Sequence, residues 1–105
     1  MNEIKEYTED IFEKIKHIDD YGHEYWLARE LQVALEYSQW RRFNEVINRA
    51  IISCDNSKLE INDHFAKVGK TSKMPNGGVK KLLDYKLSGY ACYLIVGVNS
   101  YYSFY

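Results

Sequence analysis

Apolar residues at Ile4, Tyr7, Ile11, Phe12, Ile15 and Ile18 recur at helical steps, which predicts one amphipathic helix over residues 3–18. Glu3, Glu6, Glu9 and Asp10 crowd its start, where the macrodipole favours negative charge, and Asn2 can cap it. Such a helix packs on its own core or is offered to a partner; the first reading is the simpler. A turn follows around Asp19, Asp20 and Gly22, since glycine supplies a positive φ. Residues 24–27 then read as a short strand that could fold back on the chain before Asp19 as a small hairpin.

Residues 28–35 are rich in good helix formers, with Leu27, Leu31, Ala34 and Leu35 on the inward face. Tyr37-Ser38 breaks this helix, and Ser38 is placed to cap a second one over residues 39–54. That helix turns Trp40, Phe43, Val46, Ile47, Ala50, Ile51 and Cys54 inward. Its outer face carries Arg41, Arg42, Glu45, Asn48 and Arg49. Asp55-Asn56-Ser57 are turn residues that stop it. Residues 58–64 are mixed, with a short helical turn expected from Ser57.

From Phe65 to Lys70 the pattern becomes that of a half-buried strand. Residues 71–78 hold the only proline, Pro75, and the pair Gly77-Gly78, so they form a loop or hairpin end. Residues 79–87 return as the partner strand, with Leu83, Tyr85 and Leu87 on one face. Ser88 can cap a last helix over residues 89–98, although β-branched Ile95, Val96 and Val98 also suit a strand. The tail, residues 99–105, is aromatic and uncharged. The predicted class is α+β: an N-terminal amphipathic helix, a helix-turn-helix-like pair, a two-stranded β-hairpin and a C-terminal helix. The expected divisions are residues 1–22, 23–98 and 99–105.

The 105 residues suit one domain with one core. Ten tyrosines stand out, a residue that suits cores with wet edges and binding surfaces. The net charge of −1 hides a polarity. Residues 1–24 carry eight acids against three lysines, whereas residues 67–86 carry six lysines against Asp84 alone. A near-neutral total argues against indiscriminate nucleic-acid binding, yet the lysine segment suits an acidic partner. Cys54 and Cys92 lack the spacing of a redox or zinc motif and sit among apolar residues, which predicts buried reduced thiols. The acidic N-terminus is no signal peptide, and the apolar run over residues 90–98 falls short of the about 20 residues needed to span a membrane. A cytoplasmic location is expected, with no membrane contact.

Catalytic patterns are weak. His17, His23 and His64 are scattered, and His23-Glu24 lacks the second histidine of a zinc helix. Asp19-Asp20 reads as a solvated turn, and Asn76-Gly77-Gly78 lacks the lysine and hydroxyl of a phosphate loop. No base is evident near either cysteine. The expectation is a protein that is not an enzyme, with no cofactor and no metal.

Nucleic-acid or partner contacts have two candidate sources. In a helix-turn-helix-like unit, the second helix would present Gln39, Arg41, Arg42, Asn48 and Arg49 to base edges and phosphates. Glu36 and Glu45 would repel phosphates there, and a plain solvated helix face explains the same residues. The second source is Lys67, Lys70, Lys73, Lys80, Lys81 and Lys86 around the hairpin. A basic loop can follow a phosphate backbone or meet an acidic protein, and lysines also guard edge strands against aggregation.

The blocks Glu24-Tyr25-Trp26-Leu27-Ala28-Arg29-Glu30-Leu31-Gln32 and Leu35-Glu36-Tyr37-Ser38-Gln39-Trp40 resemble the bacterial DNA damage-inducible protein D family. So do Asp63-His64-Phe65, Asp84-Tyr85-Lys86-Leu87-Ser88 and Tyr90-Ala91-Cys92-Tyr93-Leu94-Ile95. The resemblance spans residues 12–98 and extends to BRO-type N-terminal domains of phage antirepressors and viral regulators. It implies an α+β domain with a regulatory role in the DNA-damage (SOS) response. The implied partner is a recombinase filament on single-stranded DNA, or DNA itself. It brings no catalytic residue and no cofactor. Gly89 stands where the family has an arginine, which removes one basic contact. The family continues beyond this point, so the chain is expected to be an N-terminal fragment. Tyr101, Tyr102, Phe104 and Tyr105 would then need cover from the domain or from a second copy in a homodimer.

Overall fold

The computed structural model describes the backbone of residues 2–103 and the side chains of residues 9–97. The elements are α1 (Asn2–Ile15), β1 (His17–Ile18), β2 (Glu24–Leu27), α2 (Ala28–Ala34), α3 (Trp40–Asn56), α4 (Ile61–His64), β3 (Phe65–Lys73), β4 (Val79–Leu87) and α5 (Gly89–Ser103). The architecture is mixed α+β, as expected. Among the described residues there are five helices and one four-stranded antiparallel sheet in the order β1-β2-β4-β3. The sequence predicts two separate hairpins; the structure joins them. Trp26 pairs with Leu87 and Leu27 with Lys86, so β2 docks beside β4.

Cross-strand partners share a face. Trp26 and Phe65 both pair with Leu87, so these three lie on one side together with Tyr85. Onto that side pack Phe43, Val46, Ile47, Ala50 and Cys54 of α3 and Ala91, Cys92 and Ile95 of α5, all buried. The helical spacing of both sets is what lets each helix lay one stripe on the sheet. Helix α1 joins through Phe12 and Ile15. The Trp26 indole Nε1–H donates to the Phe12 carbonyl at 2.9 Å, and the two rings meet edge to face. The expected inward positions Ile4 and Tyr7, the capping role of Asn2 and the aromatic tail with its dimer contact lie outside the described side chains.

Several boundaries differ from expectation for identifiable reasons. The break after α2 is set by Glu36, which adopts φ 64. It is closed by Tyr37 N–H to Gln32 O and by the Gln32 amide to Tyr37 O, each at 3.0 Å. Helix α3 starts at Trp40 from Gln39, not from a Ser38 cap, and has no side-chain cap bond. Ser57 does not start α4: its hydroxyl donates back to Ser53 O at 3.1 Å, and α4 begins after Glu60. Ser88 does cap α5, with its Oγ accepting the Ala91 N–H at 3.0 Å. The helical reading of this segment holds over the strand, and α5 runs past residue 98 to Ser103. Both cysteines are free and buried.

Candidate nucleic-acid interface

Strands β3 and β4 pair over nine residues each, from Phe65↔Leu87 at the root to Lys73↔Val79 at the end. Only the root is covered. Beyond Gly69 and Leu83 the pair continues as a two-stranded arm, and every residue from Gly69 to Leu83 is exposed except Ser72 and Leu82, which are half-buried. The segment expected as loop from residue 71 is therefore partly strand. The arm closes in a tight turn: Met74 N–H donates to Gly78 O at 2.8 Å and Gly77 N–H to Met74 O at 3.0 Å. Gly77 takes φ 88, which a side chain would resist. Asn76 Oδ1 accepts the Gly78 N–H at 2.9 Å and stiffens the turn further.

The register distributes the lysines in a specific way. Lys67 faces Tyr85, Lys70 faces Leu82, Lys73 faces Val79, Lys80 faces Ser72, Lys81 faces Thr71 and Lys86 faces Ala66. No lysine opposes another, which avoids the like-charge penalty of a direct cross-strand pair. Because side chains alternate along each strand, Lys67, Lys73 and Lys81 lie on one face and Lys70, Lys80 and Lys86 on the other. The single acid of the segment, Asp84, does not compete with them. It is buried, and its Oδ1 accepts the N–H groups of Arg29 at 3.0 Å and Tyr85 at 2.8 Å.

Lys86 is set apart from the other five. It is half-buried at the root, with its Nζ 4.4 Å from the centre of the Tyr25 ring. Tyr25 in turn stacks on His17 at 5.1 Å, and His17 Nε2 lies 2.6 Å from Glu30 Oε1. Lys86 is thus part of a cross-strand ladder on the outer side of the sheet, while Lys70, Lys73, Lys80 and Lys81 belong to the exposed arm.

The α3 candidates fall into two groups. Gln39, Arg41 and Arg42 are exposed at the helix start, whose first turn contains no acid. Asn48 and Arg49 are exposed two turns on, with exposed Glu45 between the groups. Two features tie this helix to the arm. Arg29 stacks its guanidinium 4.1 Å from the Trp40 ring centre while its Nε–H donates to Leu83 O at 2.9 Å. This holds the start of α3 near the base of the arm. Asn48 and Lys67 border one open depression of about 600 Å³, with Ile51, Ile61, Phe65 and Tyr85.

The bridging role of Arg29 and the capping role of Asp84 were not apparent from the sequence. They are 55 residues apart and no spacing rule connects them. A further pair, His64 and Ser88, also emerges only in three dimensions: Nδ1 and Oγ lie 2.6 Å apart. Ser88 Oγ also accepts the Ala91 N–H, and the Ser88 N–H donates to His64 O at 3.1 Å. The pair fastens the start of α5 to the end of α4. Among the described residues no group of three or more His, Cys, Asp or Glu could hold a metal ion, and no helix is long and apolar enough to cross a membrane.

The chain is 44% identical over 85 residues to DNA damage-inducible protein D of Escherichia coli (strain K12), a match covering 81% of this chain and 31% of that protein. This similarity supports a family like DNA damage-inducible protein D. The chain spans about a third of that relative's length. No protein-family profile matches the chain, and no solved structure matches it significantly.

Proposed function

We propose that this chain is a non-enzymatic regulatory domain of the DNA-damage (SOS) response that acts in the cytoplasm by holding a nucleoprotein partner, first of all a recombinase filament on single-stranded DNA. The β3–β4 arm is the contact. The observation that carries this reading is the distribution of the lysines, none opposed to another and both faces of the exposed arm basic, with Asp84, the one acid of residues 67–86, buried against the start of α2. Lysines so placed meet phosphates as point charges without reading bases. Similarity to a protein named for its induction by DNA damage supports the setting.

A second reading is a direct DNA-binding regulator related to BRO-type antirepressor domains. Here α2 and α3 serve as a helix-turn-helix-like pair, and Gln39, Arg41, Arg42, Asn48 and Arg49 are the readers. It is favoured by the three exposed residues at the acid-free start of α3 and opposed by Glu45. The two readings separate in one binding experiment. Capture of recombinase filaments that weakens with Lys80→Ala and Lys81→Ala, and not with Arg41→Ala and Arg42→Ala, supports the first. Duplex binding with the reverse sensitivity supports the second. Binding to neither partner would sink both.

A further inference from the structure

The exposed part of the arm is an unusual object for a domain to display. Five cross-strand pairs, Gly69↔Leu83 to Lys73↔Val79, extend it by roughly 17 Å, with no third strand beside it among the described residues. A two-stranded ribbon is marginally stable alone in water. Yet this one turns apolar side chains outward: Val79 is 67% exposed, Met74 42% and Leu83 37%. An arm whose only task was to keep a sheet edge from aggregating would not carry them.

The charge pattern narrows the partner. An acidic protein surface would meet one face of the ribbon, and lysines on the other face would add little. Here both faces are basic, with Lys73 and Lys81 on one and Lys70 and Lys80 on the other. That arrangement suits a ribbon held between two anionic walls. A nucleic-acid groove supplies them, because a phosphate backbone runs along each side.

The tip supplies the remaining element. Met74 and Pro75 stand at the end of the arm in a turn held by two backbone hydrogen bonds and the Asn76 side chain. Proline fixes its own φ, so little freedom is lost when the tip is gripped. Methionine and proline are among the side chains that wedge between base steps from the minor groove and kink the duplex. Such wedging has an energetic cost that contacts along the rest of the arm can offset.

We propose that the β3–β4 arm enters the minor groove of duplex DNA, its lysines reaching a phosphate backbone on either side, and that Met74 and Pro75 wedge between base steps and bend the duplex. This rests on the reading of the arm as a phosphate contact, and adds the form of nucleic acid and the mode of entry. The test uses the full chain and a duplex of about 30 base pairs labelled at both ends, a length over which a bend is readily read. Energy transfer between the ends reports bending, and titration over a salt series reports phosphate contacts. The expected result is a bent complex whose transfer falls close to that of free DNA in the Met74→Ala/Pro75→Ala double variant, with an unchanged salt slope. Lys70→Ala with Lys80→Ala should lower that slope by about 2.

A bend undiminished in the tip variant overturns the wedge. A bound but straight duplex overturns the inference while the arm remains a phosphate contact. A chain that captures recombinase filaments in an arm-dependent way but ignores duplex DNA overturns this inference alone. Binding to neither overturns it together with the function proposed above.

Discussion

The backbone N–H of Arg29 donates to Asp84 Oδ1 at 3.0 Å, so helix α2 is capped by a carboxylate that arrives 55 residues later, from strand β4. The residue in the N-cap position, Leu27, has no side-chain oxygen to offer. Asp84 therefore meets the orphan donors and the positive end of the helix dipole from outside. It also explains why the only acid among the lysines is buried. Asp84→Ala should lower stability by about 2 to 4 kcal/mol, because two N–H groups lose their acceptor in a buried setting. Asp84→Asn keeps an acceptor and should cost less than half as much. Urea unfolding of the two variants checks the order.

Arg29 joins three elements by one side chain, and a lysine cannot copy it. A lysine lacks the flat guanidinium that covers Trp40 while donating Nε–H to Leu83 O. Arg29→Lys should cost about 1 kcal/mol. Hydrogen exchange should show the loss concentrated at the base of the arm and the start of α3, with the α5 amides unaffected.

Helix α1 hangs on Trp26. Trp26→Phe keeps most of the apolar ring and removes the bond to the Phe12 carbonyl. The expected cost is roughly 1 kcal/mol. Exchange of the α1 amides should accelerate well before the sheet is affected. Equal acceleration in α1 and β4 would show that the bond does not anchor the helix.

The turn at the tip depends on Gly77, whose φ of 88 strains any residue with a Cβ although the surrounding space is open. Gly77→Ala should destabilise the arm by about 1 kcal/mol. The effect should be local: faster exchange at the Met74 amide, with the global urea midpoint nearly unchanged because the arm contributes nothing to the core.

Burial pushes the Cys92 thiol up to about 12 from its ordinary 9.0. The folded state thus holds the proton more tightly than the unfolded one. Its contribution to stability is whole below pH 9 and is lost as pH rises toward 12, at up to about 1.4 kcal/mol per pH unit. Burial raises Tyr85 and Cys54 as well, so the decline should steepen at the alkaline end. Urea midpoints from pH 8 to 11 should fall, and less so in Cys92→Ala. Alkylation of Cys92 at pH 8 should wait for unfolding.

Local pattern was a good guide wherever an element is defined by its own neighbours. The inward stripe of α3 is Phe43, Val46, Ile47, Ala50 and Cys54, as helical periodicity predicts. The return strand Val79–Leu87 and the Ser88 cap also lie where alternation and turn chemistry place them. Boundaries failed where a side chain chose a partner that its type does not dictate. Ser57 turned back to Ser53, and Glu36 accepted a left-handed conformation that glycine would normally fill.

The lysine-rich composition of residues 67–86, the hairpin signal of Pro75-Asn76-Gly77-Gly78 and the helical stripes are properties of the sequence itself, because they depend on residues a few positions apart. The tertiary structure decided what those features amount to. Docking of β2 on β4 merged two hairpins into one sheet and covered only the root of the longer one, so the rest became an exposed arm. Register placed three lysines on each face. Folding also took Asp84 out of that surface and gave it to α2, through a contact between distant residues that only a packed core brings together.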